Sequence, residues 1–228
     1  LSDGADVLVA TFDYKVSAEM LDAAKGLRLV ANFGVGFNNI DTAWCEAHNV
    51  AVTNTPLPVI EPTAEHCFAL LHAVAHRTAE LDRSLRLPDY DGIRFGVMNN
   101  LGTSLYGKTL GIIGMGRIGR AVARRAVGCG MKIAYHNRHR LPAETEALYG
   151  ATYLPMEQLL KESDFVSLNL PYTPEVHHLI GCKELHMMKP TAMLINTVRG
   201  AHIDEEALAD IQELEFYALS EETIKDVV

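Results

Sequence analysis

The chain has 228 residues, 48% of them hydrophobic and 21% charged, with 29 acidic side chains against 20 basic ones and a net charge of −9. At about 150 residues per domain this is one or two domains able to bury a core, which excludes a disordered tail protein. The acidic balance argues against nucleic acid as a partner, since phosphate binding needs a basic stripe, and no apolar run reaches the ~18 residues of a membrane span.

Residues 1–3 lack the basic and apolar regions of a secretion signal, and there is no initiating Met. The chain is therefore expected to begin partway into a longer, cytoplasmic protein. Residues 6–11 form a short apolar strand, 17–24 a helix opened by the cap Ser17, and 27–32 a second strand leading to the turn Gly34-Val35-Gly36. A helix over 41–48 and a strand over 50–54 continue the alternation, which implies a parallel sheet. Pro56, Pro58 and Pro62 mark a loop and a domain edge. Residues 63–85 then read as one long helix, apolar at Phe68, Leu70, Leu71, Val74 and Ala75, serving as a core or dimer-packing element. Residues 88–107 read as loop. Strands follow over 109–113, 132–135, 165–168 and 192–196, with helices over 117–126, 155–162, 183–186 and 204–214. A last helix-like pattern covers 220–227, with Ser220 as a possible cap. Cys45, Cys67, Cys129 and Cys182 lie far apart without a CxxC pair, so neither a zinc site nor a disulfide framework is expected.

The strongest chemical signal is the run Leu110-Gly-Ile-Ile-Gly-Met-Gly-Arg-Ile-Gly119. It places Gly114, Gly116 and Gly119 in GxGxxG spacing between a strand and a helix, the context that gives this otherwise weak motif its meaning. The first glycine permits a tight turn, the second lets the backbone approach a pyrophosphate, and the third lets helix and strand pack closely. The helix start then offers free N–H groups to the anion. An NAD-selective site carries an Asp or Glu about 20 residues further on, for the ribose 2′-hydroxyl. Here the strand over 132–135 runs into His136-Asn137-Arg138-His139-Arg140, without a carboxylate. Arg138 can clamp a 2′-phosphate, so NADP is the expected cofactor and NAD a possible one. His136 and His139 read as solvated loop residues.

With these pieces in order, the sequence resembles the D-isomer-specific 2-hydroxyacid dehydrogenases, and within them the glyoxylate/hydroxypyruvate reductases. The resemblance runs through Asn32-Phe-Gly-Val-Gly-Phe-Asn-Asn-Ile-Asp41, Val52-Thr-Asn-Thr-Pro56, Thr63-Ala-Glu65, the glycine motif, Asn169-Leu-Pro-Tyr-Thr173 and Asn196-Thr-Val-Arg-Gly200. It implies an α/β architecture. A doubly wound parallel-sheet dinucleotide-binding domain would cover 63–214, a second and incomplete α/β substrate-binding domain 1–62, and 215–228 stays unassigned. The implied reaction moves hydride between a nicotinamide and C2 of a small 2-keto or 2-hydroxy acid, in a homodimer. Arg199 matches the family's catalytic arginine, although an Arg after a strand is most often a surface ion-pair residue. Val35 and Gly36 match the turn whose amides hold the substrate carboxylate, with Phe37 lining that pocket. Beside Asn137 and Arg138 at the strand end, the family pattern implies cofactor contacts from Arg117, Ile118, Thr63, Leu170, Pro171, Thr197 and Val198. Asn169 stands where many relatives carry His.

The resemblance stops near Ala209, before the Glu and the proton-donating His that the family carries further on. The expected explanation is a fragment or an omitted stretch. His202, where relatives carry an apolar residue, is a weak substitute donor. An NAD-linked dehydrogenase of lactate or phosphoglycerate type is the rival enzyme reading. A cofactor-sensing corepressor-like protein is the rival of another class.

Overall fold

A computed structural model describes residues 4–11, 14–86 and 101–210. The helix-like pattern over 220–227, the unassigned segment 215–228, the end of the expected helix over 204–214 and most of the loop after residue 87 lie outside the described residues. By its contacts the chain divides into two compact units, one of Leu1–Pro62 with Pro171–Pro174, the other of Thr63–Leu170 with the chain from Glu175 on.

In the first unit, β1 (Val7–Thr11), α1 (Ala18–Asp22), β2 (Leu29–Phe33), α2 (Thr42–Ala47) and β3 (Ala51–Thr53) alternate. The strands pair in parallel in the order β1-β2-β3. Both helices start at a side-chain cap: Ser17 accepts from the Met20 N–H at 3.4 Å, and Asp41 from the Trp44 N–H at 2.9 Å. Each satisfies one amide that a first helical turn leaves without a partner. The core gathers Val16, Leu21, Val30, Ile40, Cys45 and Val50.

The second unit opens with α3 (Ile60–Ala75) and α4 (Thr78–Arg86), where one continuous helix was expected. The break coincides with a contact from a distant part of the chain. The Ala75 carbonyl accepts from the Thr103 N–H at 2.6 Å, and Arg77 adopts a left-handed φ of 54°. Apolar spacing persists across residues 76–77, so periodicity alone hides the interruption. Pro62, expected in the loop, sits in the first turn of α3. Its missing N–H would have had no helical partner there.

Then follow β4 (Thr109–Ile113), α5 (Arg117–Gly128), β5 (Lys132–His136), α6 (Ala143–Tyr149), β6 (Ala151–Tyr153), α7 (Met156–Glu162), β7 (Phe165–Leu168), α8 (Cys182–Met187), β8 (Met193–Asn196) and α9 (Glu205–Asp210). The five strands are all parallel, in the order β6-β5-β4-β7-β8. The chain winds outward from β4 through β5 to β6, then returns to the far side of β4 for β7 and β8. The direction of winding thus reverses between β4 and β7, and the crevice at their carboxyl ends is where such sheets bind ligands. Every residue of β7 is buried, the pattern of a parallel strand covered on both faces. Leu159, Leu160, Val166, Leu168, Ile180 and Leu185 pack together around it. Asp164 anchors the strand starts by accepting from the Thr109 N–H at 2.8 Å and from Lys189 Nζ at 2.9 Å. Burial raises the Asp164 pKa, but these donors more than offset it, leaving the carboxyl below its ordinary range.

Candidate active site

At the end of β4 the backbone turns sharply at Gly114, with φ +95° and its N–H donating to the His136 carbonyl at 3.0 Å. A Cβ there would lie 2.8 Å from the backbone of Asn169 and Leu170, so no side chain fits. A Cβ on Gly119 would lie 2.5 Å from the Gly114 carbonyl oxygen, which fixes how closely α5 packs on the turn. Gly116 differs: it caps α5 without a side-chain hydrogen bond, and a Cβ would meet nothing within 4 Å. The loop is therefore closed on the protein side at Gly114 and Gly119 and open at Gly116. Arg117 and Ile118 follow in the first turn of α5, Arg117 exposed and Ile118 half-buried. A cation at a helix N-terminus opposes the dipole unless an anion also binds there. A dinucleotide pyrophosphate fits this set of donors, charge and space.

The end of β5 is more ordered than the sequence implied. His136 is its last residue, half-buried, with Nδ1 donating to the Leu154 carbonyl at 3.0 Å and its ring stacked on Tyr153. It is not a solvated loop residue. Asn137 Oδ1 accepts from the Met115 N–H at 2.7 Å, so this side chain braces the glycine loop. Arg140 makes a two-pronged pair with Glu146, at 2.9 Å for each bond. Tyr135 Oη donates to the same carboxylate at 2.6 Å. Arg140 and then Tyr135 hold the Glu146 carboxyl down at about 2. Arg140 is thus committed to Glu146, while Arg138 lies exposed beside the braced loop.

The ends of β7 and β8 carry a polar cluster that the sequence did not announce. Cys67 Sγ, fully buried on α3, lies 3.2 Å from Ser167 Oγ. Burial pushes its thiol up, opposed by the hydroxyls of Ser167 and Thr197. Asn169 Nδ2 donates to Ser167 Oγ at 2.8 Å. Asn169 Oδ1 is buried with no hydrogen-bond partner among the described residues. This acceptor sits beside the glycine turn, at the carboxyl edge where a dinucleotide would lie, and its orphan state fits a ligand that can donate. Thr63 lies one turn before Cys67 on the same side of α3. Leu170 is half-buried, and Pro171, exposed, belongs by its contacts to the first unit.

After β8, Asn196 Oδ1 accepts from the Val198 N–H at 3.0 Å and its Nδ2 donates to the Arg199 carbonyl at 2.9 Å. Thr197 and Val198 are half-buried and Arg199 is exposed, its Nη1 donating to the Val198 carbonyl at 2.8 Å. The same strand end therefore presents an exposed guanidinium on a fixed backbone.

In the first unit, the turn after β2 has all its carbonyls engaged. Asn32 Nδ2 donates to the Gly34 and Gly36 carbonyls at 3.2 and 2.9 Å, and Asn54 Nδ2 to the Val35 carbonyl at 2.9 Å. In a trans peptide the next residue's N–H points opposite to the carbonyl. The amides of Val35, Gly36 and Phe37 are thereby aimed away from these asparagines. Val35 and Phe37 are exposed.

Among the described residues no group of three His, Cys, Asp or Glu side chains gathers as a metal site, and no helix is long and apolar enough to cross a membrane. All four cysteines are free thiols.

Sheet order, switch point and glycine loop together define a dinucleotide-binding unit of the doubly wound class. The chain belongs to the D-isomer specific 2-hydroxyacid dehydrogenase family, residues 68–218 matching its NAD binding domain. It is 48% identical over 205 residues to a glyoxylate reductase of Thermococcus litoralis, a match that covers 89% of this chain and 62% of that relative. The chain thus spans less than two thirds of that relative's length. Among solved structures, the TT0316 protein of Thermus thermophilus superposes with a TM-score of 0.86 at 40% identity, over 94% of this chain and 66% of that one. A D-lactate dehydrogenase of Aquifex aeolicus, complexed with NAD and lactic acid, gives 0.80 at 32% identity, over 90% and 60%.

Sequence reasoning missed the bracing role of Asn137 and the Cys67–Ser167–Asn169 cluster. The first had a signal, because an Asn just past a strand beside a glycine loop can reach its amides. The second had none, since Cys67 is 100 residues from Ser167 in sequence.

Proposed function

We propose that this chain is part of a reductase that transfers hydride from NADPH to a small 2-keto acid of the glyoxylate or hydroxypyruvate type, forming the D-2-hydroxy acid. The observation that carries this reading is the pairing, on one sheet edge, of the Gly114–Gly119 cradle with Arg199 at the end of β8. A bound nicotinamide supplies the hydride. The first-turn amides of Arg117 and Ile118 hold the pyrophosphate over the open face at Gly116, whose own N–H donates to the Gly114 carbonyl at 2.9 Å. Arg138 takes the 2′-phosphate, since Asn137 braces the loop and no carboxylate occupies the strand end to repel that charge. Thr63, Thr197 and Val198 approach the nicotinamide half, and Leu170 and Pro171 border the cofactor.

Arg199 pairs with the substrate carboxylate and stabilises the charge growing on the carbonyl oxygen as hydride arrives. The outward amides of Val35 and Gly36 bind the carboxylate, and Phe37 lines that pocket. A homodimer is part of the same reading: α4 buries none of its residues, and pairing of the region 63–85 about a twofold axis would cover it. The partner is a small 2-keto or 2-hydroxy acid.

The test is the loss of NADPH absorbance on adding glyoxylate, hydroxypyruvate or pyruvate to the full-length protein, repeated with NADH. Turnover of glyoxylate or hydroxypyruvate with a preference for NADPH supports the proposal. Turnover of none of the three acids with either cofactor contradicts it.

A further inference from the structure

The Arg199 carbonyl oxygen accepts three hydrogen bonds: Asn196 Nδ2 at 2.9 Å, His202 Nδ1 at 3.0 Å and the His202 backbone N–H at 3.2 Å. A carbonyl can only accept, so Nδ1 of this imidazole carries a proton. His202 is fully buried. It is fixed from both sides by a short parallel pairing, with the Ile180 N–H donating to its carbonyl at 3.0 Å and the His178 N–H to the Ala201 carbonyl at 2.9 Å. The pairing continues through the Ile180–Ile203 bridge and the Asp204 N–H, which donates to the Ile180 carbonyl at 2.9 Å. The exposed guanidinium therefore grows from a backbone held by a buried imidazole, itself fixed by the short pairing of residues 178–180 with 201–204.

We infer that His202 is a positioning residue for Arg199: its Nδ1–H holds the Arg199 peptide so that the guanidinium fork meets substrate in one orientation. This rests on the reading of Arg199 as the residue that meets the 2-keto acid. Burying a ring with polar nitrogens where an apolar side chain would pack costs stability. The geometry offsets that cost, since the fork of an arginine loses its two-pronged fit with small errors in placement. His202 is not itself the proton donor in this assignment, because its Nδ1 is committed to the backbone and its ring is shielded from solvent.

The test uses the full-length protein with His202→Val, which removes the donor but keeps an apolar residue suited to the buried site. His202→Asn places an amide nitrogen where Nδ1 stood. Kinetics with glyoxylate, the NADPH dissociation constant and the melting temperature are measured for each, alone and combined with Arg199→Ala. The expected result for H202V is a fall in kcat/KM of about tenfold, shared between lower kcat and higher KM, with NADPH binding within about twofold of wild type. H202N recovers most of the loss. In the R199A background, H202V produces no further loss beyond about twofold. If H202V does not fold, H202N against His202→Met provides the same donor comparison. Equal losses with and without Arg199, or no loss in H202V, overturn the inference while leaving the function standing. A wild-type protein inactive on every 2-keto acid overturns both.

Discussion

In the proposed reading, the charge of Arg138 and the missing side chains of the loop glycines decide how NADPH binds. Arg138→Ala removes a charge-assisted contact worth ~1.5–3 kcal/mol, so NADPH should bind about tenfold or more weakly while NADH is little changed. Titration of nucleotide fluorescence with both cofactors checks this, and equal losses would remove the NADP assignment. Gly114 and Gly116 make a contrasting pair. Gly114→Ala forces a side chain at φ +95° into the Asn169 backbone, a strain of about 1–3 kcal/mol that should lower the melting temperature and binding together. Gly116→Ala meets only open space in the free protein, so its melting temperature should hold while NADPH binding falls. A G116A variant that binds normally would show that the open face of the loop is not where the pyrophosphate lies.

At the scale of elements, the link between β5 and α6 makes a pH prediction. Glu146 sits at about 2 against an ordinary value of 4.5 because Arg140 and Tyr135 favour its charged form. A folded value below the unfolded one stabilises the fold above pH 4.5, and that contribution disappears as pH falls through 4.5 toward 2. Denaturant unfolding of wild type and Glu146→Gln should differ at about pH 7 and converge toward about pH 2. A constant difference across that window would contradict the assignment. How far the sequence revealed these elements followed from what each one depends on. The strands β4 and β7 were legible to the residue, because continuous burial makes them short apolar runs between turn residues. The helix and strand at 143–153 were not, since α6 buries none of its residues and β6 has only three. The division between α3 and α4 depends on a hydrogen bond from Thr103, which no local pattern contains. Gly114, Gly116 and Gly119 were readable because their spacing is set by local backbone geometry. The clamp on Arg199 was not, because an imidazole three residues on is ordinarily just another polar side chain.

For the whole molecule, light scattering of the full-length protein should give twice the monomer mass, and a monomer at micromolar concentration would count against the homodimer. The central claim is that one sheet edge joins a dinucleotide cradle to a substrate-binding arginine, and Arg199→Ala separates the two. The variant should lose most of its kcat with glyoxylate and show a raised KM, the result expected if the guanidinium acts both in binding and on the charge that develops during hydride transfer. Its NADPH dissociation constant should stay within about threefold of wild type, a difference of ~0.65 kcal/mol. The deciding measurement is steady-state reduction of glyoxylate by R199A beside nucleotide titration of the same preparation. The account predicts collapsed turnover with intact NADPH binding, and wild-type turnover by R199A would contradict it.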